Sequence, residues 1–265
     1  MPGMTPARAY PVWSRRALLR ALATVPAWPA AAGAAQPADD GRVQSIALPT
    51  GAPLSLRTIV GTVRVAAVPG RTDVQLRIAR RGDRALLDTA PIRVDASGPG
   101  VAIDVTPTLA AGTRGLSADV EVQVPPDAVI DAIEIDDGRL DLEGVRGAVR
   151  ARVTRGGIRA TNVSGAVRLE TSMGDIVVTR ARLTPDGLLR LRTFNGDVRL
   201  AFEAPPDDAR ILALALNGTI SSAIPLTSKA GWGPRWGETS IGRADRVVSL
   251  DVVTGTIRIE VAGAR

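Results

Sequence analysis

The sequence predicts an all-β protein, a single-domain β-solenoid whose coils of about 18 residues each hold two nine-residue strand-turn units. Three observations carry this. Glycine recurs every nine residues from Gly138, apolar and polar residues alternate within each unit, and position eight of the unit changes character with a period of 18 residues.

The units read GRLDLEGVR, GAVRARVTR, GGIRATNVS, GAVRLETSM, GDIVVTRAR, then a four-residue insertion LTPD, then GLLRLRTFN and GDVRLAFEA. Positions three and five are aliphatic or Ala and positions two, four and six are mostly polar, the period-2 pattern of a strand with one buried face. The leading glycines, Gly138, Gly147, Gly156, Gly165, Gly174, Gly187 and Gly196, permit tight corners between strands. At position eight Val145, Val163 and Ala181 alternate with Thr154, Ser172 and Phe194, so the full coil is two units. Leu140, Ile158 and Ile176 then form one column, Leu142, Ala160 and Val178 another, and Val149, Val167 and Leu189 a third that absorbs the insertion. One coil buries too little to fold alone, so the coils must stack.

Upstream, the segments 54–68 and 73–79 alternate in the same way around Gly61, which places the start of the solenoid near residue 45. Residues 80–115 break the pattern. They read as an irregular excursion with a short helical piece at Ala85 to Asp88, followed by strands near Val101 to Val105 and Ala118 to Val124. Downstream, ILALALNGTISS, RVVSLDVV and GTIRIEVAG resume it after a loop near 228–240, and some element there must cover the open end of the sheet. The solenoid domain is therefore assigned to 45–265, after a polar lead-in at 36–44.

Residues 1–35 read as a cleavable export signal. They hold Arg8, Arg15, Arg16 and Arg20 with no acidic residue, an apolar stretch from Ala21 to Ala32, and small residues up to Ala35. Ser14-Arg15-Arg16-Ala17-Leu18-Leu19 resembles a twin-arginine signal, and an ordinary Sec signal fits as well; either sends the chain to the periplasm or beyond. No later apolar run is long enough to serve as a transmembrane anchor. Without the four leader arginines the formal charge falls from +6 to +2, which is no footprint for nucleic acid.

The chain has no Cys and no His, so thiolate and imidazole metal sites, disulfides and Ser-His or Cys nucleophiles are excluded. A calcium β-roll needs GGxGxD turns, and here the turns read DGRL, TRGG and SGAV. No metal and no cofactor is expected.

Three constellations remain. Arg150, Arg168 and Arg190 occupy position four of alternate units and should form an outward ladder at about 4.8 Å spacing. The ladder either grips an anionic envelope polymer or is a solvated face relieved by Glu170 and neighbouring carboxylates, which is the commoner use of charge runs. Asp175 and Asp197 both follow glycine and should lie roughly 5 Å apart on adjacent coils, a spacing used by retaining glycosidases; Asp after Gly is also ordinary turn chemistry. Trp232 and Trp236 are the tryptophans outside the leader, and they either stack on sugar rings or fold over the solenoid end as a cap.

The order GGIRATNVSGAVRLETSMGDIVV, TFNGDVRL, NGTISSAIPLT, ETSIG and VSLDVVTGTIRIEV resembles the bacterial adhesin-like β-strand repeat family of envelope proteins. The resemblance implies a β-solenoid, an extracytoplasmic location and no established enzymatic activity, and it supplies no catalytic residues. The Arg-rich outer face and the Trp-containing segment depart from the usual pattern. The functional expectation is a non-catalytic structural, adhesin-like or ligand-binding module whose partner is an anionic envelope polymer or another envelope protein. The alternative is a polysaccharide-cleaving enzyme using Asp175 and Asp197.

Overall fold

A computed structural model describes residues 36–37, 41, 43–82, 87–88, 91–106, 115–228 and 233–262. The leader, Trp232, and Ala85 and Leu86 of the short helical piece lie outside the described residues; Leu87 and Asp88 are helical. Among the described residues eighteen strands join in one sheet. They are β1 (Gln36–Pro37), β2 (Val43–Ala47), β3 (Pro53–Ala67), β4 (Asp73–Arg81), β5 (Arg93–Asp95), β6 (Val101–Val105), β7 (Ser117–Val124), β8 (Val129–Glu143), β9 (Val149–Arg155), β10 (Ile158–Thr161), β11 (Ala166–Met173) and β12 (Ile176–Ala181). After these come β13 (Leu188–Asn195), β14 (Val198–Phe202), β15 (Ala209–Ser222), β16 (Thr227–Ser228), β17 (Arg235–Ile241) and β18 (Val247–Val261).

The strands form two parallel ladders. In ladder A the second half of β8 pairs with β10, β10 with β12, β12 with β14, and β14 with the second half of β18, aligning Leu140, Ile158, Ile176, Val198 and Ile257. In ladder B the first half of β8 pairs with β9, then β11, β13 and the first half of β18, aligning Ile130, Val149, Val167, Leu189 and Val248. The steps from β8 to β10, β10 to β12 and β9 to β11 are each 18 residues, the period read from position eight. The inward side chains of both ladders belong to one core, with Leu140, Ala160, Leu169, Val178, Leu191 and Leu250 fully buried.

Long strands bend from one ladder into the other at glycine. Gly61, Gly138, Gly156, Gly174, Gly196, Gly255 and Gly218 stack in that order along one corner. Their φ angles are mostly positive, for example 125° at Gly156, and a Cβ there would lie 1.7 Å from the Gly138 carbonyl oxygen. Glycine is therefore required by close approach as well as by backbone conformation. Two buried hydroxyls brace this corner: Thr171 Oγ1 donates to the Gly156 carbonyl (3.0 Å) and Thr193 Oγ1 to the Gly174 carbonyl (2.9 Å).

The opposite corner is looser, taking four to six residues where the strands turn at 144–148, 162–165 and 182–187. Position seven on the ladder A side is left-handed at Gly144 (φ 72°), Asn162 (φ 54°) and Arg180 (φ 54°). A single left-handed residue flips the in-out alternation, and that turns Val145, Val163 and Ala181 into the core. The 18-residue signal at position eight thus has a backbone cause. Phe202 pairs with Ala181 across a register shift and fills the same column in the next coil without such a residue.

The ends depart from the sequence reading. The chain does not stack in order: β18 lies between β13 and β14 on one side and β15 on the other, with Gly255 over Gly196 and Gly218 over Gly255. The segment 228–240, expected as a loop, contains β17, which runs antiparallel along β15. Its residues Arg235 to Ile241 satisfy the outer edge of β15, which a loop would leave unpaired. At the other end β6 and β7 join the parallel run beside β3, and β4 pairs antiparallel with both β7 and β2.

Candidate functional site

The outer face of ladder B is a grid of three columns, because residues two apart on a strand point the same way. The first column holds Ser55, Ala132, Arg150, Arg168, Arg190, Ser249 and Leu212. Asp131 sits in a bulge opposite Arg150, between the aligned pairs Ile130 with Val149 and Ile133 with Ala151. The three arginines are exposed. Arg150 and Arg168 make no ion pair or hydrogen bond among the described residues, and Arg190 reaches only Asp251, at 4.0 Å.

The second column alternates in sign: Arg57, Glu134, Arg152, Glu170, Arg192 and Asp251 stand in consecutive registers. Its charges compensate one another, and Arg57 lies 3.7 Å from Glu134. Glu170 therefore stands beside Arg152 and Arg192, and Arg150 and Arg168 of the first column keep no ion pair among the described residues.

The apolar part of the face lies at the β15 end. Leu212 and Leu214 pair with Glu238 and Trp236 of β17, and facing residues of an antiparallel pair project to the same side. Trp236 is half-buried there. In the third column Phe194, Val253 and Leu216 share a register, bracketed by Thr193, Val252 and Ala215 on one side and Asn195, Thr254 and Asn217 on the other. Phe194 is 54% exposed and Leu216 39%, and as neighbours in one register with Val253 they form a contiguous apolar patch. Arg210 and Glu238 close this end with an ion pair of 2.7 Å.

The fold thus brings Arg150, Arg168, Arg190 and Trp236 onto one surface. The sequence pattern missed Phe194, Leu214 and Leu216. A signal existed in the unbroken apolar run ILALAL, since a strand covered on both sides loses its alternation.

Asp175 and Asp197 lie at the glycine corner on successive levels. The backbone NH of Asp197 donates to Asp175 Oδ1 (2.8 Å), and that of Thr256 donates to Asp197 Oδ1 (2.7 Å). Asp119 accepts in the same way from Thr62 NH (3.1 Å) at the other end of the row. Each carboxylate thus ties one level to the next. Two cavities lie near the N-terminal strands, one beside Val105 and Leu116 and one beside Ser45 and Asp95, and neither of these is lined by Asp175 or Asp197.

At the loose corner Glu203 is held below its ordinary range by the hydrogen bond from Arg180, with Arg182 adding to it. Asp208 is lowered first by the backbone NH of Asp245. Among the described residues no cluster of three or more Asp or Glu side chains is placed to hold a metal, and no helix is long and apolar enough to cross a membrane.

No family model and no curated protein matches the chain. A solved structure of a "putative cell adhesion protein" from Clostridium sporogenes superposes with a TM-score of 0.50 at 10% identity, over 84% of this chain and 100% of that one. A "putative adhesin" from Bacteroides fragilis gives a TM-score of 0.35 at 9% identity, over 84% of this chain and 99% of that one. The likeness to the first is one of fold.

Proposed function

We propose that this chain is an exported, non-catalytic, adhesin-like β-solenoid that binds an external partner in the periplasm or outside the cell. The observation that carries the reading is the outer face of ladder B, where a column of three exposed arginines, two of them without an ion pair among the described residues, shares a surface with an exposed apolar patch. The parallel 18-residue registers support the solenoid. The leader read over residues 1–35 supports export. The fold shared with the Clostridium protein supports adhesion as the kind of work done. Asp175 and Asp197 serve as ties between coils, a duty that needs no reacting substrate.

Labelled protein applied to intact bacteria and to isolated envelope fractions tests this. Saturable binding is expected, lost when Arg168→Ser is combined with Phe194→Ser and kept in Arg159→Ser, which alters the outer side of ladder A. Binding that does not saturate, or that falls equally in both variants, contradicts the reading. So does reducing-sugar release from envelope polysaccharide that vanishes in Asp197→Asn, a change that keeps the acceptor for Thr256 NH.

A further inference from the structure

We infer that the partner is a linear acidic glycan, lying across the strands of ladder B with its anionic groups on Arg150, Arg168 and Arg190 and a sugar ring against Trp236. This rests on the reading that the face binds. Charge selects the first column: its neighbours on either side are Ser55 and Ala132 at one end and Ser249 and Leu212 at the other, and the acids near it are the bulged Asp131, Asp251 at 4.0 Å from Arg190, and Glu238 beyond Leu212, which Arg210 pairs. The alternating second column, with Glu134, Glu170 and Asp251, is already neutralised from within. An incoming anion therefore gains most on the first.

The residue type fits that ligand. A guanidinium presents a planar fork matched to a carboxylate, and it loses less hydration than an ammonium on binding. The spacing fits as well. Successive arginines are about 4.8 Å apart, close to the length of one sugar residue in an extended chain. From β9 to β17 the face crosses five strand intervals, roughly 24 Å, so it suits a polymer that makes repeated contacts. At the far end of the face Trp236 stands in register with Leu214 and Asp251, in line with the second column, and an aromatic side chain there suits the CH groups of a sugar. A membrane surface calls for apolar side chains distributed among the cations, and here they are gathered at one end. A nucleic acid needs stacking platforms along its path, and among the described residues only Phe194 and Trp236 supply aromatic rings on this face.

The test uses the full chain with alginate as a linear uronate polymer, dextran as its neutral counterpart, anionic phospholipid vesicles and single-stranded DNA. Alginate should be retained in a salt-sensitive way and dextran should not, with vesicles and DNA weaker than alginate. Arg168→Gln with Arg190→Gln should weaken alginate binding about tenfold or more, the size of one or two lost charged hydrogen bonds. Trp236→Ala should weaken alginate while leaving the salt slope unchanged. Arg159→Gln with Arg258→Gln, on ladder A, should leave affinity within about twofold. Alginate held no better than dextran, an equal loss in the ladder A pair, or tighter binding to vesicles or DNA overturns the inference. If cells are still bound saturably through this face while alginate is ignored, the glycan is wrong and the binding module stands. If neither cells nor alginate are bound, both fail.

Discussion

The two corners between the ladders share one nine-residue glycine spacing and differ in how the chain turns. At the corner of Gly138, Gly156, Gly174 and Gly196 the chain turns within two residues or passes through without a break, and each glycine packs on the carbonyl of the one below. At the corner of Gly147, Gly165 and Gly187 the turns vary in length and absorb the LTPD insertion. Gly147 and Gly165 also lie on backbone of the neighbouring level, where an added Cβ would come 2.1 Å from the Ala128 carbonyl oxygen and 2.3 Å from that of Arg146, whereas Gly187 would meet its own turn, at Thr184. Both corners hold close-packed glycines, and only the second takes turns of differing length. A repeat in sequence can therefore mark two separate constraints that happen to share a spacing.

The sharpest way to break this comparison is at two adjacent glycines. Gly156→Ala should cost about 4 kcal/mol or more, because the added methyl meets backbone that cannot yield, at a positive φ. Gly157→Ala should stay within about 1 kcal/mol, since its nearest neighbour is the Asp175 carbonyl at 3.3 Å. Chemical denaturation of both measures the gap, and similar costs would remove the close-packed corner.

Thr193→Val comes next. It keeps the shape but strips the hydroxyl that serves the Gly174 carbonyl, and an expected loss of about 1–2 kcal/mol would appear in the same denaturation midpoints. At the loose corner Asn162→Ala should cost about 1 kcal/mol, the penalty of a left-handed backbone without an Asn side chain. No loss there would mean that the parity flip at position seven is not strained.

The smallest effect is acid sensitivity. Glu203 and Asp208 are held below their ordinary values in the folded chain. Their contributions are therefore complete above the unfolded values near 4.5 and 3.8 and disappear as the pH falls through the folded ones. Glu203→Gln should flatten part of the stability loss below pH 4.5, and an unchanged acid profile would show that Arg180 and Arg182 contribute nothing there.

Much of this was legible in the sequence because parallel stacking repeats itself locally. The columns of Leu140, Ile158 and Ile176 and of Arg150, Arg168 and Arg190 follow from counting, and the registers match. The place of β18 was not legible. Its partners in β13 and β14 are about sixty residues earlier, and its partner β15 precedes it across β16 and β17, so no fixed period points to either. Trp236 was singled out for its chemistry, but its position beside Leu214 depends on antiparallel pairing, which alternation alone cannot register. The buried Thr171 and Thr193 read as polar positions until the glycine carbonyls they serve come into view.

The most direct test of the two-corner account is a matched pair of insertions using the chain's own Leu-Thr-Pro-Asp. One copy is placed between Ser164 and Gly165 at the loose corner and one between Met173 and Gly174 at the tight corner, and thermal unfolding of each is followed by far-UV circular dichroism. The account predicts that the first chain keeps a cooperative transition within a few degrees of the parent, as a lengthened surface turn should, and that the second loses it. Equal tolerance or equal collapse would contradict it.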